Sequence, residues 1–223
     1  MSLPDSRADS EAVGFVLAGG QSSRMGRDKA LTELAGQPLV TRALGILREA
    51  GLSAGIAGAR SALAAFAPVV EGATAGLGPL GGICAAMAST PARHAVFLSV
   101  DMPLLPASLV AYLLRHAQIT NAAVTVSSVN GFVQTFPAVV NRDTLPALET
   151  SLQSGRGGCF AAFRAAAGKL GRRFSILPVE LLAQPGHVAH ATGLPAALWF
   201  LNVNGPVELA RAEGLYAGFY RVS

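Results

Sequence analysis

Three charged residues carry the chemistry open to this chain: Arg24, Lys29 and Asp101. The first two lie in Leu17–Leu31, LAGGQSSRMGRDKAL, directly after the apolar run Val13-Gly14-Phe15-Val16. A strand that ends in a glycine pair puts free backbone N–H groups beside two cations, which suits a polyphosphate. Gly19 and Gly20 tolerate positive φ and let the backbone approach a ligand where a Cβ would obstruct it, so Leu17, Ala18, Gly19 and Gly20 are expected to line a nucleotide. Arg24 can grip phosphate oxygens through its planar fork, and Lys29 adds a mobile point charge. Gly-Gly alone reads more readily as a flexible turn with solvated charges. The whole string L-A-G-G-x-x-x-R-M-G-x-x-K-A-L behind a strand reverses that preference, although it is neither G-x-G-x-x-G nor G-x-x-x-x-G-K-[ST].

Asp101 ends His94–Val100, HAVFLSV, the strongest strand signal in the chain: continuous, apolar and β-branched, as a central parallel strand should be. A carboxylate at the carboxyl end of such a strand is well placed to hold Mg²⁺; the plainer reading is a cap for the helix at Pro106. Asn202 and Asn204 follow Trp199–Val203, expected to be the last strand. Amide oxygens are hard ligands, so Asn204 can complete the Mg²⁺ site while Asn202 fixes the loop or meets a second substrate. Gly72–Gly82 is too glycine-rich to be regular and reads either as a tight turn or as a second backbone wall on the nucleotide, with Gly78 and Pro79 in contact. Arg156, in the turn Gly155–Gly158, is either a surface charge or a contact to a second substrate's phosphate. His187 and His190 stand at i, i+3 without a third ligand at suitable spacing and read as exposed imidazoles in a loop.

The elements that must position these residues follow from periodicity. Pro38–Ala50 places Leu39, Ala43, Ile46 and Leu47 on one helical face, and Gly51 stops it. Ser53–Ala57 and Pro68–Glu71 read as strands, Ser61–Phe66 as a short helix, and Ile83–Ser89 as a helix with Cys84 on its buried face. Ala107–Ala117 and Asp143–Leu152 are further helices. Ala122–Val129 and Phe132–Val140 flank Asn130-Gly131, a strong hairpin signal. The expected fold is α/β: a single Rossmann-like three-layer domain with a mostly parallel sheet, one antiparallel hairpin and helices on both faces.

Composition sets the bounds. Hydrophobic residues make up 51% and charged residues 13% of 223, enough apolar sequence for a sizeable core and unlike a disordered chain. The net charge of +4 and pI of about 9.6 come from scattered cations, with Arg172-Arg173 the only basic doublet and no basic–aromatic stripe. A small polyanionic substrate accounts for that excess without a nucleic-acid partner. Cys84 and Cys159 give neither a metal spacing nor a disulfide framework, which suits a reducing cytoplasm. Two long stretches without Asp, Glu, Lys or Arg, 72–92 and 181–207, are broken by glycine, proline or histidine, and neither reads as a continuous apolar helix, so no membrane span is expected. MSLPDSRADSEA reads as a disordered leader over 1–12, ahead of one domain over 13–223.

Strand plus LAGGQSSRMGRDKAL resembles the nucleotidyltransferase signature, and LAGG in place of LAAG is similar to the molybdenum cofactor guanylyltransferases, the MobA-like proteins. Gly78–Ile83, Asp101–Leu104 and Asn202–Leu209 fit the same family, so the resemblance runs from about residue 13 to about residue 212. It implies attack of a substrate phosphate on the α-phosphorus of a nucleoside triphosphate with loss of pyrophosphate; the substrates would be GTP and molybdopterin. Arg24 and Lys29 would bear on the β,γ-phosphates and Asp101 on the metal. A phosphate monoester is already ionised near neutral pH, so positioning and charge neutralisation matter more than a general base, in keeping with a site that has cations and one acid. Positions that read the nucleotide in the family fall at Ala57 and Gly72, with Glu71 one place earlier; backbone near Leu17, Ala18 and the Gly78-Pro79 turn is then expected to read the guanine. Phe136-Pro137 replaces the family's His-Pro, and Gly205 its Thr. Two rivals stand beside this reading: a related transferase using another triphosphate or acceptor, and a degenerate module that contacts a molybdoenzyme or its chaperone without catalysing.

Overall fold

In a computed structural model, which describes residues 11–18, 28–58, 61–71, 78–155 and 157–220, the apolar run ahead of the glycine loop forms strand β1 (Ala12–Leu17). A 3-10 turn at Lys29–Leu31 and a two-stranded ribbon, β2 (Glu33–Leu34) and β3 (Gln37–Pro38), lead into α1 (Leu39–Glu49). There follow β4 (Ala54–Ala57), β5 (Val69–Val70), α2 (Gly78–Ala88), β6 (His94–Ser99) and α3 (Ala107–Thr120). The hairpin strands are β7 (Val124–Val129) and β8 (Phe132–Asn141), turned by Asn130 and Gly131 at φ 51° and 78°, as the dipeptide predicts. The chain closes with α4 (Leu145–Ser154), α5 (Cys159–Lys169), β9 (Phe174–Pro178), α6 (Val179–Ala183) and α7 (Pro206–Tyr220).

Seven strands make one sheet in the order β5-β4-β1-β6-β8-β7-β9, in which β8 alone runs against its neighbours. The remaining ladders are parallel, so β1, β4, β6 and β7 present their carboxyl ends along one edge. Alternation sends side chains to two cores. Phe15, Leu17, Ala95 and Phe97 lie under α2, α4 and α5; Val16, Val96 and Leu98 lie under α1, α3, α6 and α7. Gly14 lets α1 close on β1, because a Cβ there would sit 3.0 Å from the methyl carbons of Leu47.

The structure corrects several sequence expectations. Helix α2 starts at Gly78 and not at Ile83, with Pro79 in its first turn, where no amide hydrogen is needed. Trp199–Val203 is not a strand: Trp199 is buried and its indole N–H donates to the Leu194 carbonyl at 2.6 Å, so this apolar run fills a core from a turn. Helix α5, strand β9 and helix α7 form where no regular element was expected. Strand β1 begins at Ala12, inside the span read as a leader; residues 1–10 lie outside the described residues. The 181–198 segment opens within α6 and closes in a 3-10 turn at Ala196–Leu198.

Candidate active site

At the carboxyl edge of the sheet, three segments far apart in sequence meet on one ammonium group. Lys29 Nζ lies 2.8 Å from Asp101 Oδ2 and 2.6 Å from Asn204 Oδ1, across 72 and 175 residues of chain. Each partner is held by its own local structure. Asp28 caps the 3-10 turn that bears Lys29, its Oδ1 accepting the Ala30 N–H at 3.0 Å. Asp101 leaves the end of β6, where the Val100 N–H donates to the Leu17 carbonyl at 3.3 Å. The Val203 N–H donates to the Asp101 carbonyl at 2.8 Å and so ties the asparagine loop to that strand end.

The Lys29 and Asp101 side chains are 19% and 18% exposed, so their pairing is only partly screened by water. Two hard oxygens, one carboxylate and one amide, converge on a single cation. Asn202 does not join them: its amide donates within the loop to the Phe200 carbonyl at 3.5 Å. Ser99, which the sequence reading passed over, donates from Oγ to Asp101 Oδ1 at 2.5 Å. Its signal was the spacing: a serine two residues before an acid at the turn that ends a strand can reach that carboxylate with its hydroxyl.

Other predicted residues divide by position. Leu17 and Ala18 are buried at the end of β1, and the Ala18 N–H is already given to the Ala57 carbonyl at 3.2 Å. That amide is therefore engaged within the sheet, so of the Ala18 backbone it is the carbonyl that is left for a base. Ala57 is 1% exposed beneath α2, where a Cβ built on Gly82 would lie 3.8 Å from its side chain. Gly78, at φ +64°, and Pro79 are exposed at the start of α2. Gly19, Gly20, Arg24, Gly72 and Arg156 lie outside the described residues.

Cys84 is pushed up to about 11 by burial, helped by Glu149 and Cys159, and Cys159 to about 11 by burial, so both thiols stay protonated near neutral pH. His187 is exposed and stacked on Tyr112 at 6.0 Å between centroids, whereas His190 is half-buried, with Nδ1 2.9 Å from Thr192 Oγ1. Among the described residues no group of three or more His, Cys, Asp or Glu is placed to hold a metal.

A family model described as the MobA-like NTP transferase domain matches residues 14–170. The molybdenum cofactor guanylyltransferase of Xanthomonas euvesicatoria is 44% identical over 108 residues, which cover 48% of this chain and 55% of that protein. This match thus spans about half of the relative's length. A probable molybdenum cofactor guanylyltransferase of Pelotomaculum thermopropionicum is 29% identical over 205 residues, 91% of this chain and 92% of its own. Among solved structures, molybdopterin-guanine dinucleotide biosynthesis protein A from Archaeoglobus fulgidus shares the fold, with TM-score 0.73 at 19% identity over 92% of this chain and 98% of that one. The matched span runs from β1 through α5 and takes in both Lys29 and Asp101: the chain belongs to the MobA-like NTP transferase family.

Proposed function

We infer that this protein is a molybdenum cofactor guanylyltransferase that transfers GMP from GTP to the phosphate of molybdopterin and releases pyrophosphate. The observation that carries this reading is the convergence of Lys29, Asp101 and Asn204 at the carboxyl edge of the sheet. Asp101 and Asn204 would hold Mg²⁺, which binds through one or two carboxylates together with substrate phosphates and would neutralise phosphate charge. The donor set fits, because both oxygens already face one cation. Lys29 can then exchange its two side-chain contacts for the β,γ-phosphates of GTP, joined there by Arg24 from the loop. Amides of Gly19 and Gly20 would bind the remaining phosphate oxygens.

With Ala57 buried under α2, its side chain is not the reader, and guanine would be read by backbone near Leu17 and Ala18 and at Gly78-Pro79. GTP should lead, with shallower discrimination against other triphosphates than a charged side-chain reader would give. Arg156 and Asn202 would face the acceptor. It works in the cytoplasm, in contact with a molybdoenzyme or its chaperone. No helix among the described residues is long and apolar enough to cross a membrane.

Titration of GTP, CTP and ATP against the protein with Mg²⁺, repeated with molybdopterin, tests this. GTP should bind best in both series. A preference for CTP or ATP would leave nucleotidyl transfer standing and remove guanine; binding of no triphosphate would favour the degenerate module.

A further inference from the structure

The two oxygens of Asp101 are not equivalent. Oδ2 faces Lys29 Nζ at 2.8 Å, and Oδ1 accepts a hydrogen bond from Ser99 Oγ at 2.5 Å. Ser99 is the last residue of β6 and pairs in register with Leu17 of β1. Its carbonyl accepts the Met102 N–H at 3.3 Å, closing the turn that carries Asp101, and the Asp101 carbonyl accepts from Val203 at 2.8 Å. The backbone of the acid is thus fixed on both sides. What stays soft is rotation of the carboxylate about its last torsion, which is broad and nearly two-fold in aspartate.

We propose that Ser99 is a positioning residue for the reaction: its hydroxyl occupies Oδ1 of Asp101 and leaves Oδ2 as the oxygen presented to the cation. The proposal rests on the guanylyltransferase reading above, and adds to it a residue that touches neither substrate nor metal. The donor is a strand-borne hydroxyl and the acceptor a carboxylate, so the bond is short and charge-assisted. A cation as demanding of geometry as Mg²⁺ gains from a carboxylate held in one orientation, and loss of such an outer partner commonly costs about 10- to 100-fold in metal affinity or activity.

Ser99→Thr and Ser99→Val have nearly the same shape and differ in one hydroxyl. With Mn²⁺ as a probe of the same hard, octahedral class, binding is measured in the presence of GTP and without molybdopterin, so that nothing turns over. The parent and the Thr variant should bind alike; the Val variant should bind Mn²⁺ about 10- to 100-fold more weakly, with unchanged metal-free GTP affinity and the same melting midpoint as Thr. In turnover, the Val variant should lose kcat with little change in KM for GTP. Equal Mn²⁺ affinity for Thr and Val would overturn the proposal while leaving the enzyme reading intact. Absence of Mn²⁺ binding by the parent with GTP would overturn both. Should the added methyl group unfold both variants, the comparison is made between the parent and Ser99→Ala, and equal affinity there is the contrary result.

Discussion

Strand β6 carries a charge cluster at each end, and the two are built from different partners. At the carboxyl end, Lys29 contacts the side chains of Asp101 and Asn204. At the amino end, Arg142 donates to the backbone carbonyls of Met87, at 2.8 Å, and Thr90, which close the end of α2. Nearby, Arg172 combines both kinds of partner: it donates to the Asn121 carbonyl from two nitrogens, at 3.0 and 2.7 Å, and to the side chains of Asn121, at 2.6 Å, and Asp143, at 2.7 Å. A guanidinium bound to carbonyls belongs to the fold, because those acceptors cannot move without moving a helix end or a strand start. An ammonium shared between side chains can leave by rotating a few bonds. The difference separates a cluster that staples the molecule from one that can trade its contacts for a ligand.

The largest effect expected from breaking this contrast is at Asp101. Asp101→Asn keeps the shape, removes the charge, and should lower pyrophosphate release by on the order of 100-fold or more, about 3 kcal/mol, with the melting curve kept. Full turnover in that variant would remove Asp101 from the chemistry. Arg142→Ala should do the reverse. It orphans two carbonyls and should cost about 2–3 kcal/mol of stability, read as a lower urea midpoint, while turnover per folded molecule is kept. A variant that lost activity but not stability would make the amino end part of the site.

Lys29→Ala sharpens the same comparison at intermediate size. It should weaken GTP binding by about 1.5–3 kcal/mol, the worth of a hydrogen bond to a charged group, and leave the urea midpoint nearly unchanged. Stability lost in step with affinity would make the lysine another staple. The smallest effect concerns pH. Burial, then the Arg93 charge, lowers the His94 pKa, with Arg172 acting in the same direction and Glu11 opposing. The unfolded chain takes up this proton near the ordinary value of about 6.5, so below that pH the unfolded state binds more protons and stability falls until the lowered folded value is reached. His116 and His190, lowered by burial, add in the same direction. The drop in urea midpoint between pH 7.5 and 5.5 should shrink in His94→Gln; an equal drop would discharge His94 from the effect.

What was legible in the sequence was local. The apolar runs that became β1 and β6, the α1 stripe, the Asn130-Gly131 turn and an acid at a strand end each carry their own signal within a few residues. Trp199–Val203 was misread because an apolar run without period looks the same whether a strand or a buried turn fills the core. The start of α2 was missed because glycine content outweighed the Pro79 signal. Helix α5 escapes the sequence because its buried stripe, Cys159, Ala162, Phe163, Ala166 and Ala167, is mostly alanine and the opposite face carries alanines too, which leaves little contrast between faces. The contacts of Lys29 with Asp101 and Asn204 were beyond any local pattern: topology alone brings residues 72 and 175 positions apart to one atom. The types of the site residues could be named from the chain, but not that the lysine would stand between the acid and the amide.

The most direct test of the account follows the fate of the triphosphate. The protein is incubated with Mg²⁺, molybdopterin and GTP labelled either at the α- or at the γ-phosphorus. The α-label should enter the molybdopterin product and the γ-label should leave as pyrophosphate, in equal amounts, with GTP ahead of CTP and ATP. Transfer of the γ-label to the acceptor, or release of either label without a molybdopterin product, would contradict it.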